Sequence, residues 1–123
     1  MLPPRLALEL EELDPSLGPE VTEEGGFVNL VFLNFATSSH YNSATTTVLV
    51  RVPLPYPDAG LDMFWTDPAL LLSDGSIPKS ADPTETYIGR QWRRFSWHHN
   101  GWNPAIHNLT SYIEFIRRRF NER

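Results

Sequence analysis

Apolar positions along the chain follow two rhythms. Near the start, Leu6, Leu10, Leu13 and Leu17 recur at three- and four-residue steps, which puts them on one face of a helix. The spacing predicts a helix over residues 3–14, with Pro3 and Pro4 in its first turn and Pro15 and Gly18 ending it. Glu9, Glu11 and Glu12 would make its exposed side acidic. After a Gly25-Gly26 turn the rhythm shortens. Phe27 to Phe35 is apolar and β-branched and reads as a strand. Thr45 to Val52 alternates: Thr46, Val48, Val50 and Val52 share one face, and Thr47, Leu49 and Arg51 the other. Polar residues 37–44 join these two strands, which suggests an antiparallel meander.

Pro53-Leu54-Pro55-Tyr56-Pro57 stops that pattern, because proline cannot donate to a ladder. Met63 to Thr66 fits a further short strand. Residues 67–90 carry Asp67-Pro68, Asp74-Gly75, Pro78 and Asp82-Pro83, and read as a long turn-rich excursion. Arg90 to Trp102 is dense in aromatics, arginines and histidines. Asn103-Pro104 then opens a last helix, with Asn103 as N-cap. Leu109, Ile113, Ile116 and Phe120 form its buried stripe, and Arg117, Arg118 and Arg119 suit the negative end of its dipole. The order implies an α+β domain: N-terminal helix, antiparallel meander, long irregular segment, C-terminal helix.

Composition narrows the chemistry. A chain of 123 residues is one domain's worth, here residues 1–123, and 41% hydrophobic residues supply a core. A net charge of −5 argues against non-specific binding to nucleic acid. The sequence has no cysteine, which removes disulfides, thiolate metal sites and cysteine nucleophiles, and fits a reducing, cytoplasmic setting. The four histidines show no ligand spacing, so neither a metal nor a cofactor is expected. No apolar run approaches the ~20 residues of a bilayer span, and Met1 to Leu13 is acidic and unlike a signal peptide.

Three signatures then carry a resemblance. A strand runs into Pro53-x-x-Tyr56-Pro57; Trp102-Asn103-Pro104-Ala105 precedes a helix; and that helix is apolar on one face. Their order resembles the ubiquitin-conjugating enzyme fold. Leu61-Asp62-Met63-Phe64-Trp65, Trp92, Ser96-x-His98 and Trp102-x-Pro104 are similar to the bacterial branch called prokaryotic ubiquitin-conjugating family E. The resemblance covers nearly the whole chain. It implies a cytoplasmic pathway with a ThiF-type activating enzyme, a ubiquitin-like protein and a deubiquitinase-like peptidase encoded nearby, in a defence-associated (antiphage) bacterial operon. The family's histidine-proline-asparagine element is absent, with Asp67-Pro68 its nearest remnant, and so is its catalytic cysteine.

Two positions compete for the missing nucleophile. Asp74-Gly75-Ser76-Ile77-Pro78 can mimic the segment around the family's cysteine, which would put Pro78 at the reacting position and abolish chemistry. Counting back from Trp102 instead reaches Phe95-Ser96-Trp97, with Ser96 replacing the cysteine. The second placement is favoured, since its anchor is closer. A serine hydroxyl needs a base, and in an extended segment Ser96, His98 and Asn100 would share one side. His98 would accept the proton, and Asn100 would orient the imidazole or donate to an oxyanion. The activated C-terminus would then rest on Ser96 as an oxyester.

Three function classes follow: an acyl carrier, a catalytically inactive binding module for the ubiquitin-like protein or activating enzyme, and an independent serine hydrolase. The last lacks a Gly-x-Ser-x-Gly elbow and any evident acid partner for His98. The resemblance implies that Glu9, Glu11 and Glu12 dock the activating enzyme. Trp65, Trp92, Trp97 and Trp102 are expected to build core, with Trp97 alternatively gripping a partner's tail. Arg90, Arg93 and Arg94 are expected to be solvated or salt-bridged.

Overall fold

The leucine spacing does produce a helix, α1 (Pro4–Glu12), with Leu6 and Leu13 buried and Leu10 and Leu17 packed beside them. The computed structural model describes residues 2–98 and 101–122. Pro4 occupies the first turn, and Leu13 leaves the helix in an extended conformation. Among the described residues the chain then forms six strands and one further helix. They are β1 (Glu20–Glu24), β2 (Phe27–Ala36), β3 (Thr45–Pro53), β4 (Phe64–Thr66), β5 (Thr84–Tyr87), β6 (Arg90–Phe95) and α2 (Leu109–Phe120). The sheet order is β1-β2-β3-β4-β6-β5, with every pairing antiparallel.

Both helices cover one sheet face. Val28, Leu30 and Phe32 of β2 stand opposite Val52, Val50 and Val48 of β3, and all point toward α1 and α2. The register shifts between Phe32 and Phe35, where Asn34 takes φ 57°, and the shift returns Phe35 to the same core. On the outer face Val31, Leu49, Trp65 and Trp92 form a second, smaller cluster joined by Met63, Tyr87 and Ile88.

The fold departs from the sequence expectation at several points. First, β1 is a strand although all five of its residues are exposed. It is an edge strand held by its ladder to β2 through a two-residue Gly25-Gly26 turn, so no apolar alternation marks it. Second, the irregular segment ends at residue 83; β5 and β6 follow as a hairpin whose turn, Ile88-Gly89, has positive φ at both positions. Third, Arg93 is buried, donating to the carbonyls of Ala81 (2.9 Å) and Pro68 (3.1 Å), so it ties the irregular segment to β6 from inside. Fourth, α2 is capped by Asn108, whose side chain accepts from Ser111 N in a capping box. Asn103 caps only the short turn before it, accepting from Ala105 N at 3.0 Å.

Glu9 is also misplaced by the sequence reading. It is 8% exposed rather than solvated. Three residues after Leu6 and four before Leu13, it lies on the leucine face. Its carboxylate accepts from Arg5 Nε (2.6 Å), Tyr56 Oη (2.5 Å) and Leu109 N (2.8 Å). Arg5 reaches on to the carbonyls of Pro104 and His107. Burial, then the bond to Glu9, raises the Tyr56 pKa well above its ordinary value. This network fastens α1 to the start of α2. Glu9→Ala is expected to lower stability by about 3 kcal/mol, since it strands three donors, one of them charged. Glu11→Ala and Glu12→Ala, at exposed positions, should change it by less than about 0.5 kcal/mol. Urea unfolding of the three variants compares them; equal losses would refute the hub.

Candidate functional site

Where β6 leaves the sheet, charged side chains gather on the outer face. Phe95 turns into the core, so its neighbour Arg94 turns outward. The Arg94 guanidinium donates to Glu85 Oε2 (2.9 Å) through Nη1 and to Ser96 Oγ (2.9 Å) through Nε. Glu85 Oε1 in turn accepts from Trp65 Nε1 (2.8 Å) and Tyr87 Oη (3.2 Å). Ser96 is half-buried, and its N–H donates to the Ser80 carbonyl at 2.9 Å. Its backbone is therefore fixed by the end of the irregular segment, and its hydroxyl by a guanidinium.

His98 is held separately. Its Nδ1 lies 3.0 Å from both carboxylate oxygens of Asp62, with the ring 58% exposed. The acid partner that the sequence did not reveal is thus Asp62, inside the Leu61-to-Trp65 motif. Nδ1–H donation to Asp62 leaves Nε2 as the acceptor. No hydrogen bond joins Ser96 to His98; the shared side expected from i, i+2 spacing does not bring them into contact. Asn100 lies outside the described residues, as does His99.

Asp62 owes its position to Trp102. The indole lies flat against Gly60, where a Cβ would come within 2.3 Å of the ring. Its Nε1 donates to the Pro57 carbonyl at 2.9 Å. Only glycine admits that approach. The tryptophan of the Trp102-x-Pro104 motif therefore clamps the loop from Pro57 to Asp62.

Between these two groups opens a cleft of about 290 Å³. Met63, Trp65, Tyr87 and Phe27 give it apolar walls, and Arg51 lies at one side. Asp62 and Arg94 both line it, and each holds one member of the Ser96/His98 pair. Arg94 beside Ser96 Oγ favours a negatively charged oxygen there, and His98 offers a ring nitrogen for a proton. Among the described residues no group of three or more acids and histidines is placed to hold a metal ion.

Burial alone would raise the Glu85 pKa, but bonds from Trp65 and Tyr87 and the Arg94 charge outweigh it and hold it below its ordinary value. A depressed carboxylate pKa adds stability above the unfolded value, near 4.5, and loses it as pH falls through the folded value. The stability gap between the native chain and Glu85→Gln should therefore be constant near neutrality and shrink below about pH 4.5. Thermal unfolding from pH 7 to pH 3 reads it; a constant gap would exclude a depressed Glu85.

The other expected site residues stand apart. Trp97 is half-buried against the main core, with the Arg119 guanidinium 3.8 Å from its ring centroid and Lys79 Nζ at 5.6 Å. Glu11 and Glu12 are exposed on α1. At the competing nucleophile position Pro78 is buried, and the Ser76 N–H is bound to Asp74 at 2.9 Å. Among the described residues no helix is long and apolar enough to cross a membrane.

No curated protein and no solved structure matches the chain. The helix, antiparallel sheet and terminal helix, with the Tyr56-Pro57 turn after β3 and Trp102 braced on Gly60, form an α+β, E2-like fold. A family model described as Prokaryotic E2 family E matches residues 9–123, so the chain belongs to that family.

Proposed function

We propose that the protein is an acyl carrier of a bacterial ubiquitin-like pathway, with Ser96 as the accepting atom's residue. The carrying observation is the Ser96 hydroxyl, held by Arg94 at the edge of the outer-face cleft in an E2-family chain that has no cysteine. A ThiF-type enzyme adenylates the C-terminus of a ubiquitin-like protein. Ser96 Oγ forms a bond to the acyl carbon as the bond from that carbon to the adenylate phosphate breaks. The hydroxyl proton passes to His98 Nε2, whose imidazolium Asp62 stabilises, and Arg94 steadies charge on the serine oxygen. Asn100 remains a candidate donor to the oxyanion. The oxyester is a poorer donor to amines than a thioester, so its onward transfer depends on the same assistance.

Glu11 and Glu12 form the acidic face proposed to dock the activating enzyme, and Trp97 a contact for the incoming partner. The pathway is cytoplasmic, with a deubiquitinase-like peptidase as its reversing partner and phage defence as its setting. The test is to incubate the chain with activating enzyme, ubiquitin-like protein and ATP. The expected adduct resists thiol reductant, is cleaved by hydroxylamine, and maps to Ser96 by mass spectrometry. The missing contact between Ser96 and His98 favours a second reading, an inactive module that only binds the ubiquitin-like protein or the activating enzyme. Stable non-covalent binding with no adduct would establish that module and end the carrier reading.

A further inference from the structure

One cation of the outer-face cleft has no carboxylate of its own. Arg94 is paired with Glu85, and His98 with Asp62. Arg51 is paired with neither, nor with any other carboxylate among the described residues. Its guanidinium carbon sits 4.2 Å from the Phe27 ring centroid and 3.8 Å from that of Tyr87, and its Nε donates to Asn29 Oδ1 at 3.0 Å. Two aromatic contacts and one neutral bond hold the group in place without neutralising it. Asp62 and Glu85 also line the cleft but are engaged by His98 and Arg94, so a fixed guanidinium with no carboxylate of its own is matched to an incoming one.

The strand register gives the separation of the two backbone positions across the sheet. Leu49 of β3 pairs with Trp65 of β4, and Trp65 with Arg94 of β6. β3 and β6 are each antiparallel to β4, so they run in the same direction. Arg51 and Ser96 lie two residues beyond Leu49 and Arg94 along that direction. They therefore stand level, two strand spacings apart, or about 10 Å. An extended peptide advances about 3.3 Å per residue. With its last carbonyl at Ser96, a tail crossing the sheet would bring the residue three before its terminal one level with Arg51. Met63 and Trp65 line the path between.

The geometry points to a carboxylate-reading subsite: Arg51 receives an Asp or Glu side chain located three residues before the terminal residue of the ubiquitin-like tail. This rests on the carrier reading for the identity of the tail, but the subsite can be tested without charging. The probes are synthetic peptides titrated into the full chain by calorimetry. They are acetyl-Leu-Asp-Leu-Gly-Gly-amide, its Asn counterpart, the Asn peptide with a free C-terminus, and acetyl-Asp-Leu-Leu-Gly-Gly-amide. The first is expected to bind about tenfold or more tighter than the Asn amide. That preference should disappear in Arg51→Gln and persist in Ser96→Ala. Equal affinity of the Asp and Asn amides, binding confined to the free acid, equal binding of the shifted peptide, survival of the preference in Arg51→Gln, or no binding by any probe would each overturn the subsite. The peptide comparison itself uses the unaltered chain, so misfolding of a variant cannot imitate its result. A preference for the Asp peptide with no covalent adduct would leave the subsite standing and defeat the carrier reading alone.

Discussion

Ser96→Ala is expected to yield no hydroxylamine-labile adduct. The variant deletes the one atom at which the acyl group would rest and leaves Arg94, Glu85 and the cleft in place. Ser96→Cys supplies the complementary result. Its adduct should become cleavable by thiol reductant, because the bond is then a thioester at the same position. The supporting groups have smaller effects. His98→Ala removes the proposed base and should slow single-turnover charging by about 10²–10⁴. Asp62→Asn acts through His98, so it should slow charging by less than His98→Ala does. His98 contacts Asp62 at 3.0 Å and not Ser96, so the proposed base role requires the ring to turn toward the hydroxyl once the tail is seated. Catalytic contacts often tighten only in the loaded complex. An adduct retained by Ser96→Ala would transfer the acceptor role elsewhere.

The second large effect concerns stability. Phe120 is fully buried in the last turn of α2. Its ring meets those of Tyr41 (5.4 Å), Phe64 (5.6 Å), Phe35 (5.9 Å) and Phe95 (5.9 Å), all near edge-on. Edge-on pairs add to the burial energy of such rings. Phe120→Ala should therefore cost about 3–5 kcal/mol, a large share of the ~5–15 kcal/mol that holds a domain together. The expected fall in melting temperature is about 10–20 °C, read by circular dichroism. Phe95 stacks on Phe64 at 4.8 Å and immediately precedes Ser96. Loss of the Phe120 ring should thus also weaken charging, in proportion to the fraction unfolded. A loss below about 1 kcal/mol would mean that the aromatic cluster closes over the gap.

Residues whose role is burial were legible in the sequence. Leu6 and Leu13, the alternating valines of β3 and the α2 stripe all occupy their expected faces. The strand into Tyr56-Pro57 and the Trp102-x-Pro104 pair pointed to the family that the match over residues 9–123 shows. Elements stabilised by ladders or polar contacts were not legible. β1 buries nothing, and β5 and β6 are mostly polar and charged with only Tyr87, Trp92 and Phe95 apolar, so none stands out by hydrophobic rhythm. Glu9 shares the leucine spacing, yet its charge makes it read as solvent-facing. At the site, Ser96 and His98 could be named, but their holders are distant in sequence. Arg94 is anchored by Glu85, across a hairpin, and His98 by Asp62, on a loop set by the Trp102–Gly60 contact. Such partnerships depend on strand register, which one-dimensional spacing does not give.

The division of the tryptophans between the two sheet faces has an optical consequence. Trp65 forms a wall of the cleft and hydrogen-bonds Glu85, whereas Trp97 and Trp102 pack on the helix side. A peptide settling into the cleft would change the polarity around the Trp65 indole more than around Trp92, buried beside it, or Trp97 on the helix side. Intrinsic fluorescence would therefore report occupancy of the cleft, and Trp65→Phe should remove most of that signal.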